Sequence, residues 1–182
     1  ARAFRDARMT APSTAEQSYI GFGDNAPLAG SRFAALTRGA LPGETDDCNW
    51  SPAQWNHPIP ATELHQAAQA VGGAGSELMT GAAFTDDAVL GRADLDQFRI
   101  LHFATHGLVT APKPECPARP ALLTSFGEGN SDGLLSFREI YDLKINADLV
   151  ILSACDTAGK ASIAATREAG VTTGGGSALD GL

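Results

Sequence analysis

The sequence has few cysteines, few cations and no long hydrophobic run, and each shortage excludes a class of protein. No stretch approaches the roughly 18 apolar residues that a membrane-spanning helix needs. Three cysteines, none of them in a CxxC pair, are too few for a disulfide scaffold. The 13 Lys and Arg are scattered and are outnumbered by 21 Asp and Glu, which gives a formal net charge of −8. Nucleic acid is therefore not expected as a partner.

The chain also begins without an initiator methionine and without the hydrophobic region of a signal peptide. We therefore interpret it as an excised piece. Its compartment cannot be predicted from targeting signals. Its 182 residues fit one domain. Residues 1–17 are expected to be a linker or the end of an upstream element. Residues 18–182 are expected to form one domain that lacks its C-terminal part.

The chain alternates strand-like and helix-like segments. Strands are predicted at 18–23, 77–80, 99–104, 121–125 and 148–153, and helices at 62–71, 85–91 and 136–143. Thr62 and Thr85 are the expected N-caps, and Ser136 with Glu139 has the capping-box spacing. Near-continuous apolar strands between helices are typical of a parallel sheet covered on both faces. We therefore predict an α/β fold with a doubly wound, mostly parallel sheet and helices on both faces.

Two long segments lack such a pattern. Residues 24–59 are rich in Gly, Pro, Asn and Asp, which predicts a long irregular excursion. Its two tryptophans, Trp50 and Trp55, are expected to be buried rather than to form an aromatic binding site. Residues 156–176 are small and polar and offer little burial to offset their ordering entropy. We expect them to be mobile, with a further helix beginning at Ser177.

Two of the predicted strands lead into reactive side chains. The strand at 99–104 is followed by His106, and the strand at 148–153 is followed by Cys155. Reactive groups of an open α/β sheet lie just beyond the carboxyl ends of its strands. A cysteine thiolate is a strong nucleophile, and a nearby imidazole can act first as base and then as acid. The backbone N–H groups of Gly107 and Cys155 are candidates for an oxyanion hole.

Each of the two residues also has a structural interpretation. A single cysteine at a strand end is most often a small buried hydrophobic residue, and a lone histidine is usually structural. The separation between His106 and Cys155, however, matches the caspase pattern of about 50 residues between histidine and cysteine. The pair is therefore a stronger catalytic candidate than either residue alone.

HisPheAlaThrHisGly at 102–107 and LeuSerAlaCysAspThrAlaGly at 152–159 resemble the two signature motifs of the CHAT domain. This is a caspase-like, clan CD cysteine peptidase family of bacterial proteins, and the likeness covers about residues 19–182. The resemblance implies a caspase-like fold, with His106 as the catalytic histidine and Cys155 as the nucleophile. It also implies a protein substrate and an association with upstream tetratricopeptide repeats, and no cofactor is expected.

Three other patterns have weaker functional interpretations. Residues 154–160 nearly spell a phosphate-binding loop, but Ala161 stands where Ser or Thr would bind magnesium, so nucleotide binding is not expected. His102 and His106 have the spacing of zinc ligands on a helix, but on a strand they lie about 13 Å apart. No metal site is therefore expected, and His102 is predicted to be a core histidine or to lie behind the site. Asp156 is a candidate for orienting His106 or for helping to bind substrate, and the alternative is a helix or turn cap.

Two functions remain open at this point. The first is a cysteine endopeptidase that cleaves a protein substrate through a dyad of Cys155 and His106. The alternative is a catalytically silent, caspase-like scaffold or interaction module. The presence of both residues favours the peptidase. In the free protein we expect the two side chains on neighbouring strands, but too far apart for a direct hydrogen bond.

The other two cysteines, Cys48 and Cys116, lie in polar, turn-forming stretches where a reduced apolar thiol has no evident role. Both stretches are expected at the active-site edge of the sheet, so the two residues are candidates for a disulfide. Such a bridge would stabilise the fold by about 4 kcal/mol. It would also indicate an oxidising compartment and an exported protein. The alternative, slightly favoured, is two free thiols in a cytoplasmic protein.

Overall fold

The computed structural model describes residues 11–28, 50–72, 74–109, 119–128 and 131–154, together with Cys48, Ala111, Lys113, Glu115 and Cys116. In chain order the elements are β1 (Tyr19–Asn25), α1 (Thr62–Ala70), β2 (Ser76–Gly81), α2 (Asp86–Leu90), β3 (Ile100–Ala104), β4 (Gly107–Leu108), β5 (Ala121–Leu123), β6 (Leu134–Ser136), α3 (Phe137–Asp142) and β7 (Leu149–Ser153). Two short 3₁₀ helices, Pro52–Asn56 and Leu95–Gln97, lie in the connections.

The strands form two sheets. Four of them make a parallel sheet in the order β2-β1-β3-β7, and the other three make an antiparallel sheet in the order β4-β5-β6. In the parallel sheet Ala104 of β3 lies opposite both Gly23 of β1 and Ser153 of β7. The α/β fold with a mostly parallel central sheet is therefore confirmed.

The central strands of the parallel sheet are covered on both faces. Ile20 and Phe22 of β1 point to one face, where they join the main hydrophobic core with Phe103 of β3 and Val89 of α2. The rings of Phe22 and Phe103 are stacked with their centroids 4.7 Å apart. Successive strand residues point to opposite faces, and on the other face α1 packs against β1, β2 and β3.

Glycines on β1 allow α1 to approach the sheet closely. A Cβ atom at Gly21 would lie 2.8 Å from a methyl carbon of Leu78 and 3.1 Å from one of Leu64. A Cβ atom at Gly23 would lie 2.3 Å from the carbonyl oxygen of Ala104. Leu64, the fully buried residue of α1, therefore packs directly on the backbone of β1.

The substitution Gly23→Ala is expected to destabilise the fold by about 3 kcal/mol, because the new methyl group meets a backbone oxygen that cannot rotate away. The midpoint of urea unfolding measures the loss. Gly107→Ala is the matched control, since its new Cβ atom would meet no atom closer than 3.4 Å. Equal midpoints for the wild type and Gly23→Ala would contradict the close packing at this position.

The helix starts agree with the sequence except at α1. Thr85 caps α2 by accepting a hydrogen bond from the N–H of Ala88, and Ser136 forms the predicted capping box of α3 with Glu139. The expected N-cap Thr62 is wrong by one residue. Thr62 is already helical and Ala61 occupies the cap position without a side-chain bond, because the first helical hydrogen bond runs to the Ala61 carbonyl.

Several expectations fall outside the described residues. These are the middle of the predicted excursion at 29–47, the mobility of 156–176 and the helix at Ser177. Within the described part, the end of the excursion forms a 3₁₀ helix, in which Trp55 is buried. No helix among the described residues is long and apolar enough to cross a membrane.

The described residues before β1 contact the domain. The N–H of Ser13 donates to Asp148 at 2.7 Å, and the side chain of Asn146 donates to Thr14 at 3.0 Å. Gln17 makes an isolated parallel bridge with Phe98. The domain boundary after residue 17 stays a prediction.

Candidate active site

His106 lies two residues beyond β3, at the carboxyl edge of the parallel sheet. Its backbone carbonyl accepts a hydrogen bond of 2.9 Å from the N–H of Leu123 in β5. The hydroxyl of Thr105 donates to the carbonyl of Leu123 at 2.6 Å. Thr105 is buried, so water does not compete for these bonds. Strand β5 therefore holds the backbone that carries the His106 imidazole.

The imidazole of His106 is oriented by a main-chain carbonyl. Its Nε2 atom lies 2.6 Å from the carbonyl oxygen of His57. A carbonyl oxygen only accepts hydrogen bonds, so we assign the proton to Nε2, and in the neutral ring this makes Nδ1 the proton-accepting nitrogen. Sequence reasoning proposed Asp156 as the orienting group and did not identify His57. Asp156 lies outside the described residues, and its role stays a prediction.

The segment that carries the His57 carbonyl is anchored by Trp55. The indole N–H of Trp55 donates to the carbonyl of Thr124 at 2.8 Å, and its ring centroid lies 4.9 Å from that of Phe126. The side chain of Asn25, at the end of β1, donates to the Trp55 carbonyl at 3.1 Å. The predicted burial is confirmed for Trp55, which is 3% exposed and holds the loop above the sheet edge.

A disulfide joins the chain segments on either side of this contact. Cys48 and Cys116 are bonded, with their Cα atoms 5.3 Å apart, within the roughly 7 Å that a bridge allows. Cys48 precedes His57 by nine residues, and Cys116 follows His106 by ten. The disulfide considered from the sequence is therefore present. It ties together the segment that carries the orienting carbonyl and the loop that follows the oriented histidine.

The second catalytic candidate follows β7. That strand ends at Ser153, which lies opposite Ala104. The next residue, Ala154, lies against Gly107: a Cβ atom added at Gly107 would be 3.4 Å from the methyl group of Ala154. The residue before Cys155 thus contacts the residue after His106. Cys155 itself lies outside the described residues. Its distance from His106 and the oxyanion-hole role of its N–H and of Gly107 stay predictions.

A polar cluster lies beneath this edge, around His102. The ring is 2% exposed, which confirms His102 as a core histidine. Its Nδ1 atom lies 3.0 Å from the hydroxyl of Tyr19, and its Nε2 atom lies 3.2 Å from both Glu63 Oε1 and Ser153 Oγ. The hydroxyl of Ser153 donates to Glu63 at 2.6 Å. We define Tyr19, Glu63, His102 and Ser153 as the His102 cluster.

Proton positions in the His102 cluster follow from Ser153. Its hydroxyl donates to Glu63, so the same oxygen accepts at His102 Nε2, and we assign a ring proton to Nε2. In the neutral ring Nδ1 then accepts from the hydroxyl of Tyr19. Burial raises the pKa of Tyr19 to about 12, and the nearby Glu63 carboxylate adds to the shift. Sequence reasoning did not find Glu63, because a glutamate in the first turn of a helix is ordinary.

Two arginines form ion pairs away from the candidate site. Arg92 binds Glu77 and Asp94, and Arg99 binds Asp148. Burial raises the pKa of Asp132. In the part of the chain that the structure describes, no group of three or more His, Cys, Asp or Glu is arranged to hold a metal ion.

A family model matches the chain. No curated protein and no solved structure matches the chain. The family model described as the CHAT domain matches residues 1–177. Because this match covers nearly the whole sequence, the chain belongs to the CHAT domain family, which groups caspase-like, peptidase-related domains.

Proposed function

We propose that this chain is a cysteine endopeptidase domain in which Cys155 is the nucleophile and His106 is the general base. The observation that carries the proposal is the 2.6 Å hydrogen bond between His106 Nε2 and the His57 carbonyl. A general base needs one tautomer and one orientation to take a proton from a thiol. This bond supplies both, since it holds the proton on Nε2 and leaves Nδ1 as the accepting atom.

The strand register supports a short distance between the two groups. Ala104 and Ser153 are directly paired, and His106 and Cys155 each follow their paired residue by two positions. Neighbouring strands lie about 4.8 Å apart. We therefore expect His106 and Cys155 to lie at the same height above the edge of the sheet. The proximity of Ala154 to Gly107 agrees with this expectation.

The proposed reaction is acyl transfer through a thioester. His106 takes the thiol proton of Cys155, and the thiolate attacks the carbonyl carbon of the scissile peptide bond. The C–N bond breaks as His106 returns the proton to the leaving amine, which gives the acyl-enzyme. His106 then deprotonates a water molecule, which hydrolyses the thioester and regenerates the thiol. The backbone N–H groups of Gly107 and Cys155 are the proposed donors to the oxyanion.

The substrate is proposed to be a protein, and upstream tetratricopeptide repeats are proposed as the neighbouring module in the intact protein. The disulfide between Cys48 and Cys116 supports residence in an oxidising compartment. We therefore favour an exported protein over the cytoplasmic one that the sequence slightly favoured.

A peptide carrying a thiol-reactive ketone and a biotin tag tests the proposed function. Wild-type protein is expected to become labelled at Cys155, and Cys155→Ala is expected to remain unlabelled. His106→Ala is expected to react about 10²-fold more slowly, because the base that forms the thiolate is lost. Equal labelling of wild type and Cys155→Ala, or an unlabelled wild type, would instead support the catalytically silent scaffold.

A further inference from the structure

One stretch of chain contacts both strands that lead to the catalytic candidates. At its start, the His57 carbonyl binds the imidazole of His106, just beyond β3. At its end, in the first turn of α1, Glu63 accepts the hydroxyl hydrogen of Ser153, the last residue of β7. Residues 57–63, which we call the bridging segment, thus connect the ends of two neighbouring strands on the side of the sheet that α1 covers.

The Glu63 contact is stronger than an ordinary surface hydrogen bond. Its Oε1 atom accepts from Ser153 Oγ at 2.6 Å, and the same Ser153 oxygen is hydrogen-bonded to His102 Nε2 at 3.2 Å, so the carboxylate ends a chain of two hydrogen bonds. Hydrogen bonds to an ionised carboxylate are roughly twice as strong as neutral ones. The side chain of His102 is only 3% exposed, which shields the inner side of the contact from water, whereas Glu63 is half-exposed.

Strand β7 makes few other side-chain contacts with the part of the chain that the structure describes. Leu149, Val150 and Leu152 are 49%, 42% and 61% exposed. Within the described residues, β7 is held mainly by its backbone pairing with β3 and by the side chain of Ser153. The Ser153 contact lies nearest to the candidate nucleophile, since Cys155 follows by two residues.

We propose that Glu63 is a positioning residue for the nucleophile, acting through Ser153 and the end of β7. The inference rests on the proposed function. Glu63 acts through Ser153 to set the position from which Cys155 meets His106. Because an error of about 1 Å in the placement of a reacting group can cost about 10²-fold in rate, its loss lowers kcat and leaves substrate binding in place.

The kinetic test compares two substitutions of Glu63 with the wild-type chain. Glu63→Ala is expected to lower kcat about 30-fold with KM within twofold, since only placement of the nucleophile is lost. Glu63→Gln keeps an oxygen that accepts from Ser153, and it is expected to recover kcat to within about fivefold of wild type. Combining Glu63→Ala with Ser153→Ala is expected to cost little more than Glu63→Ala, because both remove the same contact.

Glu77→Ala is the matched control, because Glu77 is another half-exposed carboxylate with a defined partner, Arg92, away from the site. It is expected to keep the wild-type kcat. A wild-type kcat for Glu63→Ala would overturn the proposal. Equal losses in the Glu63→Ala and Glu63→Gln variants would also overturn it, because the retained acceptor would then have no effect.

Alkylation of Cys155 by iodoacetamide tests the positioning without turnover. Cys48 and Cys116 are bonded to each other, so under non-reducing conditions Cys155 is the thiol that reacts. Glu63→Ala is expected to slow alkylation at pH 7 about 10-fold, because the thiol moves away from its base. Equal rates in the wild type and Glu63→Ala overturn the positioning role. If the wild type is alkylated but cleaves no peptide, the proposed function is overturned. The comparison of alkylation rates between the wild type and Glu63→Ala still tests whether Glu63 positions Cys155.

Discussion

Replacing His106 with alanine is expected to lower kcat/KM for peptide cleavage by about 10³-fold. The substitution removes the group that takes the thiol proton and later protonates the leaving amine, and such catalysis contributes roughly 10²- to 10⁴-fold. The ring is partly exposed, and water can replace the hydrogen bond that its Nε2 atom makes to a main-chain carbonyl near the surface. The free energy of unfolding is therefore expected to change by less than about 1 kcal/mol.

Two other histidines provide controls for this prediction. His65→Ala removes an exposed imidazole from α1 and is expected to leave kcat/KM unchanged. His57→Ala keeps the carbonyl that accepts from His106 and is expected to retain most of the activity. If His57→Ala were as inactive as His106→Ala, the side chain of His57, and not its carbonyl, would take part in the reaction.

Removing the disulfide is expected to have the largest effect on stability. The bridge closes a loop with a sequence separation of 68 residues. By the chain-entropy relation, loss of this constraint in the double variant Cys48→Ser/Cys116→Ser costs about 4 kcal/mol. For a chain of this size the corresponding fall in Tm is about 10 °C. Thermal unfolding followed by circular dichroism under non-reducing conditions measures it.

Dithiothreitol provides an internal control for the disulfide prediction. The reductant is expected to lower the Tm of the wild type to that of the double variant and to leave the double variant unchanged. A wild-type Tm that does not respond to complete reduction, verified by counting free thiols, would show that the bridge contributes little. Peptide cleavage by the same samples shows whether activity is lost when the disulfide is removed, since the disulfide joins the segments around His57 and His106.

The fold was predictable because its main strands are short apolar runs between well-marked helices. Thr85 and the Ser136 capping box could be recognised because a cap acts on a backbone N–H only three residues away. Strands β4 and β6 were not predicted. They contain two and three residues, too few to show an alternating pattern, and their pairing with β5 defines them.

The candidate site was predictable only in part, because its contacts join residues that are far apart in the sequence. His106 could be proposed because a reactive side chain follows a recognisable strand. The partner of its imidazole is a main-chain carbonyl, which every residue has, so no sequence pattern identifies His57. Glu63 and Ser153 meet from positions 90 residues apart. Their pairing follows from α1 covering the sheet, which only the tertiary structure defines.

The order of the strands in the parallel sheet has a consequence for folding. Strand β1 pairs with β2 and β3, and β3 pairs with β7, so each contact closes a long loop through a crossover. Sheets built from such distant pairings fold slowly compared with helical domains. Synthesis from the amino terminus delivers β7 after the other three strands of the parallel sheet. The two strands that lead to His106 and to the proposed nucleophile Cys155 therefore pair only after β7 is synthesised, and a nascent chain that stops before β7 lacks the proposed centre.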